Sequence, residues 1–280
     1  MAVSTFRAVG VGRSDRVGYG PRVAVDGGPD RVAAPRWLAE HAQRFRESGA
    51  APAVPRLAAT VVLLRDHQGR LEIYTQRRAA TMAFAPGMYA FPGGSVSSAD
   101  LASVDGAPAD TTPDDPIRAG GTEPPTEPSA DGSQPGSDGS VIGRMGLPPA
   151  TARAVLHAAV REVAEETNVT LDTTALAPWA RWLTPEFEPR RFDTFFFLAP
   201  LPEGQSPVDP SGEADHALWV PPAEALSRLP MLPPTRQVLT DLAGFADVAS
   251  ALAAAAHRDV SEPVRPVIEV DEEGAWLRLR

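Results

Sequence analysis

The stretch VREVAEETNV, residues 160–169, sets one arginine beside three glutamates: Arg161, Glu162, Glu165 and Glu166. On a helix with about 3.6 residues per turn, offsets of three and four place all three carboxylates on one face. Like charges so close repel one another, more strongly when partly buried. Arg161, four residues before Glu165, cannot neutralise all three. A hard divalent cation completes the balance, because such ions take oxygen ligands and leave coordination positions for a bound diphosphate. Alone, an ExxEE turn reads as a solvated acidic face. The segment FAPGMYAFPGG at 84–94 changes that reading. A glycine- and proline-punctuated turn after a strand-like run frees backbone carbonyls and amides for a ligand.

Working outward, the acidic turn ends a helix that reads ARAVLHAAVREVAEET over 152–167, with Val155, Ala159 and Val163 along its apolar stripe and Thr151 as the expected cap. LAATVVLL at 57–64 and RLEIYTQR at 70–77 read as two strands joined by a turn at 66–69. Beyond the helix, WARWLTP (179–185), RFDTFFFLAPL (191–201) and HALWVPP (216–222) read as strands. PAEALSRL (222–229) and PTRQVLTDLAGFADVASALAAAA (234–256) read as helices, and residues 264–280 as a terminal hairpin. Upstream, PRWLAEHAQRFRES at 35–48 carries Trp37, Leu38, Ala42 and Phe45 at helical spacing. Strands thus flank a central helix, and the fold class expected is an α/β/α sandwich with a mixed sheet.

Residues 97–148 break the pattern. Rich in Pro, Gly, Ser, Thr and Asp, they lack the apolar surface needed to offset the entropy of ordering, so a disordered insertion is expected there. Residues 97–143 hold nine acids and one arginine, most of the chain's net charge of −10, which leaves the rest nearly neutral. The domains expected are a leader with a short helix at 1–54, a central domain at 55–262 containing that insertion, and the hairpin at 263–280. The absence of cysteine excludes thiol catalysis, disulfides and cysteine-ligated zinc. The acidic balance argues against general nucleic-acid binding. No run approaches the roughly 18 apolar residues of a membrane span, and the first residues lack a signal-peptide core, so a cytoplasmic protein is expected.

These residues resemble the Nudix hydrolases, whose box runs Gly-x5-Glu-x7-Arg-Glu-apolar-x-Glu-Glu-x-Gly-apolar. Gly94 matches its first glycine, Arg161 its arginine, Glu162, Glu165 and Glu166 its acids, and Val163 and Val169 its apolar positions. Asn168 stands in place of the last glycine, at the end of the helix, where a left-handed residue is wanted. Gly94 and Arg161 lie 67 positions apart, 53 more than in the uninterrupted box. Asp100 falls at the formal position of the first box glutamate, a coincidence across the insertion that is given no role here. An interrupted box with FAPGMYAFPGG before it and RRFDT at 190–194 after it resembles the peroxisomal coenzyme A diphosphatases and their bacterial relatives. Ala83, four residues before Gly87, departs from the coenzyme A signature, which carries arginine there.

The resemblance implies a Nudix-type fold and a divalent-metal-dependent pyrophosphohydrolase, with coenzyme A or acyl-coenzyme A as the leading substrate. Other nucleoside diphosphate derivatives such as NADH, ADP-ribose, nucleotide sugars or dinucleoside polyphosphates are the alternative, as is a non-catalytic nucleotide-binding module. The intact acidic face favours an enzyme. Mg2+ or Mn2+ is the cofactor implied, held by Glu162, Glu165, Glu166 and the carbonyl of Gly94. Glu165, Arg161 and Glu213 are the catalytic candidates, Glu213 preceding the strand that ends near Trp219. Arg77 is a phosphate clamp candidate, and Arg191 and Asp193, alternating with Phe192 on a strand, are candidates for the substrate groove. The partner implied is a small nucleotide-derived molecule, with neither nucleic acid nor membrane, bound by a monomer or homodimer. Nudix-fold isoprenoid isomerases use a cysteine, which this chain lacks.

Overall fold

The computed structural model describes residues 31–34, 36–82, 85–103, 140–210, 212, 214–271 and 274–279. The expected leader up to residue 30 and residues 104–139 of the expected insertion lie outside the described residues. Strands β1 (Arg31–Ala34), β2 (Arg56–His67), β3 (Arg70–Arg78), β4 (Tyr89–Ala90) and β5 (Gly93–Ser95) alternate with helices α1 (Arg36–Ser48) and α2 (Ser98–Ala102). Then come the long helix α3 (Pro149–Thr167) and strands β6 (Ala177–Leu183), β7 (Phe192–Pro200) and β8 (Ala214–Val220). Helices α4 (Pro222–Arg228), α5 (Pro233–Leu242) and α6 (Val248–Ala255) precede β9 (Pro266–Asp271) and β10 (Gly274–Leu279).

The central strands β2 and β7 pair in parallel, Arg56 opposite Phe192 through Leu64 opposite Pro200. Every other pairing in the seven-stranded sheet is antiparallel: β3 on β2, β6 on β7, β8 and β4 on β3, and β5 on β2. The sheet is mixed, as expected. Successive side chains of a strand face opposite sides, so a strand covered on both faces reads as an unbroken apolar run. Ala59, Val61, Leu63, Phe195 and Phe197 pack with Val155, Ala159 and Val163 of α3. Val62, Leu64, Phe196 and Leu198 pack on the other face with Val238, Leu239 and Leu242 of α5 and Ala251 and Ala255 of α6. These are the three layers of an α/β/α sandwich. Among the described residues no helix is long and apolar enough to cross a membrane.

Three local expectations are corrected. Residues 31–34, read as loose leader, form a strand against β10, Arg31 opposite Arg278. The expected insertion is narrower than 97–148. At its start Ser97 caps α2, and at its end a 3-10 turn at Gly143–Met145 buries Met145 completely in the α3 core. Composition averages over a long polar stretch and hides a single large apolar residue at its edge. Helix α3 begins at Pro149, with proline in its first turn, whose missing N–H costs nothing there. Thr151 lies inside that turn and caps nothing.

Candidate active site

Helix α3 presses its apolar stripe on the sheet and leaves its last turn at the end of the short strand β5. Asn168 terminates it in the left-handed conformation, φ 56°, the geometry expected of the residue that replaces glycine there. Of the three acids only Glu166 is buried. Gln76 of β3 donates through Nε2 to Glu166 Oε2, and the Gly93 amide donates to the same oxygen at 3.3 Å. Gln76 is itself buried, and its Oε1 has no hydrogen-bond partner. Glu162 lies flat against β5, where a Cβ on Gly94 would collide with its carboxylate. A side chain at 94 would push the Glu162 carboxylate out of this position. Glu165 is the outermost acid, its side chain 57% exposed.

Arg161 ties this turn to α2. Its Nε and Nη2 fork the carboxylate of Asp100 at 3.0 and 2.9 Å, and Nη2 also donates to the Ser95 carbonyl at 3.1 Å. Its Nη1 donates to Glu162 Oε1 and to Glu165 Oε2, both at 2.9 Å. Bidentate charge-assisted pairing of this kind fixes orientation as well as charge. Asp100, 5% exposed, is aimed by a capping box: Ser97 Oγ accepts from the Asp100 amide and the Ser97 amide donates to Asp100 Oδ2. Burial alone would raise the Asp100 carboxyl, but hydrogen bonds from Arg161 and Ser97 outweigh it and hold it below the usual carboxylate range. The bond to Asp100 is the largest cause that raises the Arg161 guanidinium further above its already high value. Glu162 goes the other way: burial raises its carboxyl, and Arg161 offsets that only in part.

Sequence reasoning passed over two residues that the fold brings here. Asp100 carried two signals, its position six residues after Gly94 and the Ser-x-x-Asp capping pattern before a helix. The insertion disguised both. Gln76 carried one weak signal, an amide directly after the buried run Ile73, Tyr74 and Thr75 of β3.

Among the described residues no three acids converge on one point. Glu162 and Glu165 lean on Arg161, and Glu166 on Gln76. The donor set nevertheless fits a hard cation: carboxylate oxygens on one helical face, beside a glycine strand with no side chain to fill the space. Glu162, Glu165 and Glu166 are the residues that would hold such an ion.

The other candidates lie elsewhere. Arg77 on β3 pairs with Asp215 on β8 at 2.6 Å, both partly exposed, and that hydrogen bond raises its pKa. Asp193 is forked by Arg181 at 2.8 and 2.7 Å, and Arg181 also holds the carbonyls of Met145 and Ser261. Arg191 donates to the carbonyls of Thr184 and Ala53. Among the described residues, the hydrogen-bond partners of the Asp193 and Arg191 side chains are Arg181, Thr184 and Ala53. Glu213 lies outside the described residues.

A family model described as NUDIX domain matches residues 149–242, which begin with α3 and its acidic turn. Among solved structures, a NUDIX hydrolase from Alicyclobacillus acidocaldarius is 25% identical, with a TM-score of 0.53 over 75% of this chain and 99% of its own. An Ap4A hydrolase from C. elegans is 15% identical over 71% and 98% of the two chains, TM-score 0.39. The NUDIX domain of NrtR from Shewanella oneidensis, solved with ADP ribose, is 14% identical over 72% and 94%, TM-score 0.39. The comparison with curated proteins found no match. The acidic turn lies inside the segment that matches the NUDIX domain model, and the α/β/α sandwich is the fold of the Alicyclobacillus hydrolase, which together support a hydrolase acting on pyrophosphate bonds.

Proposed function

We propose that the protein is a Mg2+- or Mn2+-dependent pyrophosphohydrolase that cleaves the diphosphate linkage of coenzyme A or acyl-coenzyme A. The observation that supports the metal-dependent chemistry is the half-buried Asp100–Arg161 fork, which holds the turn bearing Glu162, Glu165 and Glu166 beside Gly93 and Gly94. A bound divalent ion offsets diphosphate charge and makes water a stronger acid at neutral pH. The chain's own residues do the rest. Gln76 and the Gly93 amide hold Glu166 in one orientation, and Arg161 keeps the turn from spreading under its own repulsion. Glu165 is the most exposed of the three carboxylates, and it takes a proton from the attacking water. Glu213 is a second candidate for that proton.

The coenzyme A assignment is supported by the interrupted box and its flanking FAPGMYAFPGG and RRFDT segments. Ala83 and the engagement of Arg77 by Asp215 favour a second reading, hydrolysis of another nucleoside diphosphate derivative such as NADH, ADP-ribose or a dinucleoside polyphosphate. A cytoplasmic location and a monomer or homodimer belong to the same proposal.

The test incubates the protein with coenzyme A, 3′-dephospho-coenzyme A, NADH, ADP-ribose and diadenosine polyphosphates, with Mg2+ or Mn2+, and identifies products by mass. Coenzyme A should give adenosine 3′,5′-bisphosphate and 4′-phosphopantetheine. Its 3′-phosphate, met by arginine, should raise kcat/KM roughly tenfold or more over the dephospho compound. Faster turnover of NADH or ADP-ribose would move the substrate to the second reading. No turnover of any compound with either metal would sink the catalytic one.

A further inference from the structure

A cleft of about 300 Å³ opens between α1, the loop joining β6 to β7, and β9. It shares no residue with the acidic turn or the glycine strand. Phe45, Phe187 and Ile268 make its apolar wall, while Arg46, Arg191 and Arg265 stand against a single acid, Glu186. This surplus of positive charge occurs on a protein whose net charge is −10.

Arg191 is the unusual member. It is 8% exposed, yet its hydrogen bonds run to two uncharged carbonyls, Nε to Thr184 at 3.1 Å and Nη1 to Ala53 at 2.9 Å. A guanidinium has five N–H donors, so donors remain. Among the described residues no carboxylate forms an ion pair with Arg191 or with Arg46, and Arg265 meets Glu262 only at 3.9 Å. Three half-buried arginines are matched by acids, Arg161 to Asp100, Arg181 to Asp193 and Arg258 to Asp241, whereas Arg144, like Arg191, donates to carbonyls, those of Ala255 and Arg258. A buried cation without an anion is costly, and an anion entering the cleft removes that cost. The volume stands at the lower edge of the ~300–1,000 Å³ of small-molecule sites, and an apolar wall with a few convergent polar groups is their usual lining.

We propose that this cleft is a second ligand site, for an amphiphilic anion. A carboxylate or phosphate monoester head sits on Arg191 and Arg46, and a hydrocarbon tail lies along Phe45, Phe187 and Ile268. The site is independent of the hydrolase reading, and binding rather than turnover is its measure.

Isothermal titration of the full chain with decanoate, decyl phosphate and decanol, below micelle-forming concentrations, tests it. One decanoate or decyl phosphate per chain should bind saturably, and decanol should not. Whichever anion binds names the head group. Arg46→Glu, at the exposed mouth, should weaken binding roughly tenfold or more, and Arg191→Met should abolish it in protein that circular dichroism shows to be folded. Where Arg191→Met fails to fold, Arg46→Glu decides. No saturable binding of either anion, equal binding of decanol, or an affinity unchanged by Arg46→Glu would each overturn the proposal.

Discussion

Glu162, Glu165 and Glu166 have the same side chain and adjacent positions, yet the fold gives them different environments. Glu166 is buried and held by Gln76 and Gly93, while Glu165 is mostly solvated and, among the described residues, bound to Arg161 alone. Removing the charge of the fixed member should therefore affect chemistry without affecting the fold. Glu166→Gln is expected to lower kcat by about 10²-fold or more with an unchanged melting curve, and near-normal turnover with Mg2+ would remove Glu166 from the site. Asp100 is the opposite case. Asp100→Asn leaves Arg161 facing a neutral amide, and denaturant unfolding should show a loss of about 2 kcal/mol, discounted because Arg161 is partly solvated. The Asp100 carboxyl lies below its unfolded value, so its contribution is complete above about pH 4 and declines as pH falls through the lower folded value. The stability gap between wild type and Asp100→Asn should accordingly narrow as the solution is acidified.

At the scale of elements, α3 is defined by its two ends. Proline opens it, and Asn168 closes it at φ 56°, a conformation that costs most side chains about 1–2 kcal/mol and asparagine less. Asn168→Ala should lower stability by about 1 kcal/mol in urea unfolding, whereas Asn168→Gly should stay within about 0.5 kcal/mol of wild type. A larger loss for glycine than for alanine would contradict the backbone argument. The acidic turn lies just before this cap, so the alanine variant should also reduce turnover if fraying reaches Glu166.

For the whole molecule, the decisive feature is that Gly94 and Asp100 precede residues 104–139 and Arg161 follows them, yet the three meet at one turn. A short Gly/Ser linker in place of residues 104–139 should cost no more than about 1 kcal/mol, since loop-closure entropy grows only logarithmically with length. Replacing 97–148 should cost more than about 3 kcal/mol, because it removes the Asp100–Arg161 fork and the buried Met145. Equilibrium unfolding of the two deletions separates these outcomes, and equal losses would mean that the ends of the insertion add nothing.

The sandwich was legible in the chain because its signals are local and periodic. VVLL at 61–64 and FFFLA at 195–199 are unbroken apolar runs, as strands covered on both faces must be, and the spacing of Glu162, Glu165 and Glu166 already assigns them to one helical face. Asp100, Gln76 and Arg191 could not be placed in that way. Asp100 meets Arg161 across 61 residues, and Gln76 meets Glu166 across 90. Arg191, beside Phe192 in sequence, meets the Ala53 carbonyl 138 residues away. Periodicity fixes which face a side chain takes within its own element. Which partner waits on that face is decided by the packing of elements distant in sequence, and at this site that packing sets charge, burial and orientation.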